Sequence, residues 1–126
     1  MFAGMHHVPN VERAIEASKR ILRSGGIFVA FEPNNECWYR RPMLPLKNLL
    51  RLYTDDERFL RPSEVLRMMD ERGFREVKIA YTSPEYNPEH LSSTVNKLLA
   101  KFIHIASSMS PEPRWQTFFI IRGIKE

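Results

Sequence analysis

The 126-residue sequence has little cysteine, no long apolar run and little excess charge. Its only cysteine, Cys37, excludes a disulfide within the chain and is typical of a protein from a reducing compartment. No apolar run approaches the roughly 20 residues that span a bilayer. Residues 1–5 are too short and too poor in basic residues for a secretion signal. We therefore expect a cytoplasmic protein with no membrane span.

The composition is that of one soluble domain. Hydrophobic residues make up 43% of the chain and charged residues 27%, which is ordinary for a globular protein. The formal net charge of +4 permits an anionic partner without requiring one. We expect residues 1–126 to form a single domain.

The order of apolar and polar residues predicts alternating helices and strands. After a short strand at residues 2–5, helical spacing follows Asn10, a suitable N-cap, and ends near Gly25. Residues 27–31 are all apolar, which predicts a strand buried on both faces of a helix-covered sheet. Residues 35–61 form a long connection with a short helix at 46–52, and Pro62 begins a helix that Gly73 ends.

The second half continues this alternation. Residues 75–81 alternate between polar and apolar, which predicts a strand with one wet face near a sheet edge. The last strand, residues 115–124, is expected to be buried on both faces. A helix is predicted at about residues 90–107, with these side chains facing inward: Leu91, Val95, Leu98, Leu99, Phe102 and Ile103.

Two polar clusters follow predicted strands. His6 and His7 follow the first strand, and Glu32, Asn34 and Asn35 follow the second. Sheets of parallel strands place ligands beyond the carboxyl ends of those strands. Because strands joined by one crossover helix can lie side by side, we expect both clusters to face one crevice.

These residues carry a resemblance to a known family. The stretch GMHHVPNVERAIEASKRILRSGGIFVAFEPNN resembles the middle of class I S-adenosylmethionine-dependent methyltransferases of the small-molecule kind, types 11 and 12. There a His-His or similar turn precedes an amphipathic helix, a glycine turn, a buried strand and a Glu-Pro or Asp-Pro exit. DERFLRPSEVLRMMDERGF is similar to the family's next helix, although Arg61 replaces its usual Ser or Thr cap. The closing residues resemble its last, antiparallel strand.

The resemblance implies an α/β fold with a partial, Rossmann-like mixed sheet: the C-terminal half of the family's domain. The family holds S-adenosylmethionine with a glycine-rich loop and an acidic residue after the next strand. The chain's five glycines form no such loop, so no cofactor-binding residue is identifiable and tight cofactor binding is not expected. A truncated reading frame, a split gene and an expressed fragment all fit. The edge left at residues 2–5 predicts a homodimer or pairing with a complementary N-terminal fragment.

The resemblance also implies candidate site residues. His6 and His7 lie where the family lines the crevice near the transferable methyl group, so either is a candidate general base. The alternative is a loop pair in which one ring caps or packs. Adjacent histidines diverge and no other ligand has suitable spacing, so no metal is expected.

Glu32 and Asn34 are candidates to contact a polar acceptor, or else to cap backbone amides at the strand exit. The basic and aromatic segment within residues 35–61 corresponds to a variable insert over the family's acceptor pocket. Its arginines could instead form a solvated face or an RNA surface, although the acidic residues that follow disfavour nucleic acid. Its substrate-binding candidates are Trp38, Tyr39, Arg40 and Tyr53.

We therefore expect the complete protein to transfer a methyl group from S-adenosylmethionine to a small-molecule acceptor. This chain would supply the acceptor side and be inactive alone, since such transfer depends on holding donor and acceptor in line. The alternative is a non-catalytic, self-associating α/β module or regulatory partner subunit. A nucleic-acid-binding domain is a third, weaker option.

Overall fold

The structure, a computed structural model, describes residues 4–39, 60–83, 94–110 and 112–126. The elements in chain order are a 3₁₀ helix at Met5–His7, α1 at Val11–Ile21, β1 at Ile27–Pro33, α2 at Pro62–Glu71, β2 at Phe74–Thr82, α3 at Thr94–Ser108, a 3₁₀ helix at Pro113–Trp115 and β3 at Phe118–Lys125. Met5 begins a helical turn, so the predicted strand at residues 2–5 is wrong at that residue. The first residues of that predicted strand and the predicted helix at 46–52 lie outside the described residues.

The helix boundaries follow the local signals in the sequence. Asn10 caps α1 by accepting a hydrogen bond from the Arg13 amide at 2.9 Å. Gly25 has a φ of +74°, a left-handed conformation that glycine adopts without a steric penalty. Pro62 occupies the first turn of α2, and Arg61 supplies no side-chain cap, as its replacement of Ser or Thr predicts.

Strand β3 lies at the centre of a three-stranded sheet in the order β1-β3-β2 and pairs antiparallel with both neighbours. Strands β1 and β2 therefore run in the same direction. Their carboxyl ends lie at the same edge as the start of β3. The predicted antiparallel last strand and the edge position of the alternating strand β2 are both confirmed.

The core lies on one face of this sheet. Helices α1 and α2 contribute apolar side chains that meet the buried positions of the three strands. Burial of this kind stabilises a domain in proportion to the apolar area removed from water. The buried cluster contains Met5, Val11, Ile15, Phe28, Ala30, Leu60, Val65, Met68, Met69, Phe74, Phe119 and Ile121.

The expectation that β1 is buried on both faces is wrong. Ile27 and Val29 are 54% and 39% exposed and alternate with the buried Phe28 and Ala30. The reason is that the core formed with α1 and α2 involves only one face of the strand. Buried and more exposed residues also alternate along β3, so it too is not buried on both faces. The strand begins at Phe118 and not at Trp115, which belongs to a 3₁₀ helix.

The inward face predicted for α3 is wrong at three positions. Leu98, Leu99 and Phe102 are exposed, whereas Ala106 and Ser107 are the buried positions among the described side chains of α3. Within the described residues, α3 packs against the 3₁₀ helix before β3 and contributes nothing to the main core cluster. Ile103 is half-buried; Leu91 lies outside the described residues, and the side chain of Val95 is not described. No described helix is long and apolar enough to cross a membrane.

Candidate functional site

The two polar clusters predicted from the sequence lie together in the structure. The His6 Nδ1 atom is 2.6 Å from the Glu32 Oε2 atom. Glu32 belongs to β1, one residue before its end, and His6 belongs to the 3₁₀ helix that lies against that strand. The pair therefore lies at the edge of the sheet where β1 and β2 end.

Glu32 is completely buried because it continues the alternation that places Phe28 and Ala30 in the core. Its Oε1 atom accepts hydrogen bonds from the backbone amides of Gly4 at 3.1 Å and Met5 at 2.8 Å. Its Oε2 atom accepts from the His6 amide at 3.4 Å as well as meeting the ring. A buried carboxylate is stable only when such partners replace water, so Glu32 fixes the position of the 3₁₀ helix.

The contact with Glu32 determines which nitrogen of neutral His6 can accept a hydrogen bond. A neutral imidazole carries one N–H, and a carboxylate accepts hydrogen bonds, so the proton of neutral His6 lies on Nδ1 and donates to Glu32. The Nε2 atom then carries the free lone pair. The His6 side chain retains 14% exposure, so the ring is not completely buried. The exposed His7 ring lies beside it, with centroids 4.1 Å apart.

Asn34 joins two segments distant in sequence. Its Nδ2 atom donates to the carbonyls of Pro113 at 2.8 Å and Gln116 at 2.9 Å. Its Oδ1 atom accepts from the Glu36 amide at 3.0 Å. The buried side chain thus holds the exit of β1 against the segment before β3. The polar atoms of the Asn34 side chain thus bond to backbone groups, which is the capping role named above as the alternative to contact with an acceptor.

The aromatic candidates lie farther along the same connection. Trp38 is 37% exposed, and its ring contacts Trp115 at a centroid distance of 5.3 Å and Phe102 at 6.4 Å. The Tyr39 ring lies edge-on to Trp38. Arg40 and Tyr53 lie outside the described residues.

Sequence reasoning missed Gln116 and Ser83, which shape the same edge. The Gln116 Nε2 atom donates to the carbonyls of Ser107 at 3.0 Å and Ser110 at 2.7 Å. The Ser83 hydroxyl accepts from the Thr117 amide at 3.1 Å. Ser83 could have been found from its position directly after the alternating strand. No local pattern indicates Gln116, because its partners are carbonyls at and just after the C-terminal end of α3.

The described glycines do not form a cradle for S-adenosylmethionine. Gly25 and Gly26 precede β1, Gly73 precedes β2, Gly123 lies within β3, and Gly4 is a single glycine before the short 3₁₀ helix at Met5–His7. Such a cradle needs glycines between the carboxyl end of a strand and a helix N-terminus. Among the described residues there is also no group of three or more His, Cys, Asp or Glu side chains suited to a metal ion.

Comparison with known proteins relates the chain to methyltransferases. No family model matches the sequence. The Vibrio atlanticus ubiquinone biosynthesis O-methyltransferase is 29% identical over 89 residues, which are 67% of this chain and 37% of that protein.

Solved structures match almost the whole chain. A Thermotoga maritima S-adenosylmethionine-dependent methyltransferase, described as a possible histamine N-methyltransferase, matches with a TM-score of 0.68 and 22% identity over 99% of this chain and 55% of its own. A methyltransferase from Archaeoglobus fulgidus matches with a TM-score of 0.60 and 15% identity over 99% of this chain and 57% of its own.

The chain thus spans 37% of the length of the curated relative and little more than half of these structures. The alternating helices, the antiparallel last strand and the Glu-Pro exit of β1 agree with the resemblance drawn from the sequence. The chain has the partial, Rossmann-like α/β fold of the C-terminal half of class I S-adenosylmethionine-dependent methyltransferases.

Proposed function

We propose that this chain is the acceptor side of an enzyme that transfers a methyl group from S-adenosylmethionine to an oxygen or nitrogen atom of a small molecule. The observation that carries the proposal is the contact between His6 and Glu32 at the carboxyl edge of the sheet. When bound, S-adenosylmethionine supplies an electrophilic methyl group. What remains for the acceptor side is to position a nucleophile and receive its proton.

His6 is the proposed general base. With Nδ1–H donated to Glu32, its Nε2 atom is the one able to accept a proton from an acceptor hydroxyl or ammonium group. The imidazolium that forms is stabilised by the buried carboxylate 2.6 Å away. Glu32 is thus a positioning residue. It orients the ring and does not itself meet the acceptor.

The remaining candidates have supporting roles in this proposal. His7 and the exposed part of Trp38 contribute to the crevice wall, and the buried Asn34 holds the crevice loop in place. Tyr39, Arg40 and Tyr53 remain proposed acceptor contacts.

The acceptor class is proposed from the two named relatives. One is named for ubiquinone biosynthesis O-methylation and the other as a possible histamine N-methyltransferase. An aromatic or heteroaromatic molecule that bears a hydroxyl or amine group fits both names. Trp38 and Tyr39 offer aromatic faces against which such a ring could stack.

We further propose that the chain acts only when a second polypeptide surface covers its sheet. The exposed positions of β1, Ile27 and Val29, lie on the face opposite α1 and α2. Strands that are apolar on both faces belong to sheets covered on both sides. A complementary N-terminal half with the donor site would cover this face and complete the enzyme, and in its absence a second copy of the chain would do so.

The decisive experiment joins this chain to the donor-binding half of the Thermotoga maritima relative and measures methyl transfer to catechol and to histamine. Circular dichroism first establishes that the joined protein is folded. We expect turnover with at least one acceptor, and a loss of about 100-fold in kcat in the His6→Gln variant. The matched His7→Gln variant should retain most of the activity. Full activity in the folded His6→Gln variant would exclude His6 as the base.

The second candidate function is a non-catalytic, self-associating module. The exposed apolar face containing Ile27 and Val29 favours it, because such surfaces commonly mark association sites. This candidate requires a stable homodimer in which His6 and His7 are buried at the interface. Diethylpyrocarbonate, which modifies accessible histidines, distinguishes the two: protection of His6 and His7 on dimer formation supports the module, and continued reactivity supports the open crevice.

A further inference from the structure

A cleft lies between the end of β2 and the C-terminal part of α3. Its volume is about 370 Å³, within the range of small-molecule sites. Tyr81, Thr82 and Ser83 form one wall. The residues that line the other side are His104, Ser107, Ser108, Ser110 and Gln116.

The Ser107 hydroxyl has no hydrogen-bond partner among the described residues although the residue is only 1% exposed. Buried hydroxyls nearly always have a partner. A serine within a helix ordinarily donates to the carbonyl four residues earlier, as Ser18 does to Ala14 at 2.8 Å in α1. Ser107 lines the cleft without this bond, which is the arrangement expected of a hydroxyl whose partner is a ligand.

Hydrogen bonds hold the walls of the cleft in place. Gln116 ties the segment before β3 to the carbonyls of Ser107 and Ser110. Ser83 ties the end of β2 to Thr117. Because both walls are fixed in this way, the cleft does not require rearrangement before binding, as in most small-molecule sites.

The chemistry of the lining indicates what the cleft accepts. Its described lining residues include no Asp, Glu, Lys or Arg, and His104 is the one among them that can carry a positive charge, so an anionic ligand finds at most one ionic partner. Serine, threonine and tyrosine hydroxyls both donate and accept hydrogen bonds, and Tyr81 adds an aromatic face. We propose that this cleft binds an uncharged, hydroxyl-rich small molecule about the size of a monosaccharide. The site is independent of the proposed methyl transfer.

The test is a titration of the 126-residue chain followed by amide chemical shifts. The probes are D-glucose, D-ribose and myo-inositol, with D-glucose 6-phosphate as a charged comparison. We expect saturable shifts of the Ser107, Ser110 and Gln116 amides with at least one uncharged probe, with a Kd of about 1 mM. The phosphorylated sugar should bind no more tightly than glucose.

Variants separate binding from folding. Ser107→Ala should weaken binding by about tenfold, as expected for one lost ligand hydrogen bond. It should leave the melting temperature unchanged or raise it, because the hydroxyl has no described protein partner to lose. Ser18→Ala is the matched control on another helix and should leave binding unchanged.

Three results would overturn the proposal. The first is the absence of saturable shifts with all three uncharged probes. The second is tighter binding of the phosphorylated sugar, which would show that the cleft selects charge. The third is a Ser107→Ala variant that binds as well as the wild type.

Discussion

The side-chain amide of Asn34 donates a hydrogen bond to the carbonyl of Gln116, 2.9 Å away and 82 residues later in the chain. A second bond from the same nitrogen reaches Pro113. Since Gln116 in turn holds the end of α3, one asparagine links the exit of β1 to the lining of the cleft between β2 and α3. The exit of β1, the segment before β3 and the end of α3 are therefore held together by one connected set of hydrogen bonds.

An Asn34→Asp substitution tests that connection. The new carboxylate would replace a group that donates to two carbonyls, so buried acceptors would face one another. We expect the free energy of unfolding in urea to fall by about 3 kcal/mol. Asn10→Asp is the matched control: Asn10 only accepts a bond, at the start of α1, so stability should change by less than about 0.5 kcal/mol. Equal effects at the two positions would contradict this role for Asn34.

A Glu32→Gln substitution tests the buried carboxylate. The glutamine amide has a similar volume, but its NH₂ group would replace one carboxylate oxygen. Two hydrogen-bond donors would then face each other where an oxygen now accepts. We expect a loss of about 3 kcal/mol in the free energy of unfolding, because hydrogen bonds to a buried charged group are removed. Glu36→Gln, at an exposed carboxylate that meets Ser63, should cost less than about 0.5 kcal/mol.

Gly123 lies where β3 meets α2, and a methyl group added there would come within 2.6 Å of the Met69 Cε atom. Gly123→Ala should therefore destabilise the fold by about 1–2 kcal/mol through overpacking. Met69→Ala alone should also destabilise, by leaving a cavity. The double variant should lose less than the sum of the two, since each change relieves the other. Strict additivity in urea unfolding would show that the two side chains do not compete for space.

Burial raises the pKa of the Tyr81 phenol, and the negative charge of Glu36 acts in the same direction. The folded state thus favours the neutral phenol over the phenolate. The stability that depends on this preference is fully present below the ordinary tyrosine pKa of about 10, and it is lost as the pH rises through the pKa that Tyr81 has in the folded protein. We expect the free energy of unfolding to decline less steeply above that pH in Tyr81→Phe than in the wild type. The phenolate absorbance of the folded variant should likewise lose a component that titrates above the ordinary tyrosine pKa. An unchanged decline would contradict the assignment.

Substitution of two exposed isoleucines, one on the sheet and one on α1, tests which surface of the chain mediates self-association. If the face of β1 opposite α1 and α2 forms the contact, Ile27→Lys should shift the isolated chain toward monomer in sedimentation analysis, because a charge cannot be buried there without a partner. Ile21→Lys, at an 87% exposed position on α1, is the control and should leave association unchanged. The opposite result would place the contact on the helical side.

Local signals in the sequence predicted much of the fold. Asn10, Pro62 and the glycines at 25 and 73 act within a few residues, so the helix ends they mark are found in the structure. The all-apolar run at the start of β1 correctly predicted a strand. It could not indicate that one face stays exposed, because burial depends on what covers the sheet and not on the strand itself.

Local sequence signals also predicted part of the candidate site. The positions of His6 and Glu32 after successive predicted strands suggested that the two polar clusters lie near each other, and the two side chains are 2.6 Å apart in the structure. The sequence did not show that Asn34 bonds to Pro113 and Gln116, or that Ser107 is buried without a partner. Contacts across some 80 residues depend on the antiparallel return of β3, which no local pattern encodes.

The central proposal is that this chain is the acceptor side of a methyltransferase and needs a donor side to act. Isothermal titration with S-adenosylmethionine tests it most directly, on the 126-residue chain alone and on the chain joined to the Thermotoga maritima donor half. We predict micromolar binding by the joined protein, about −8 kcal/mol, and no measurable binding by the chain alone. Micromolar binding by the isolated chain would contradict the account.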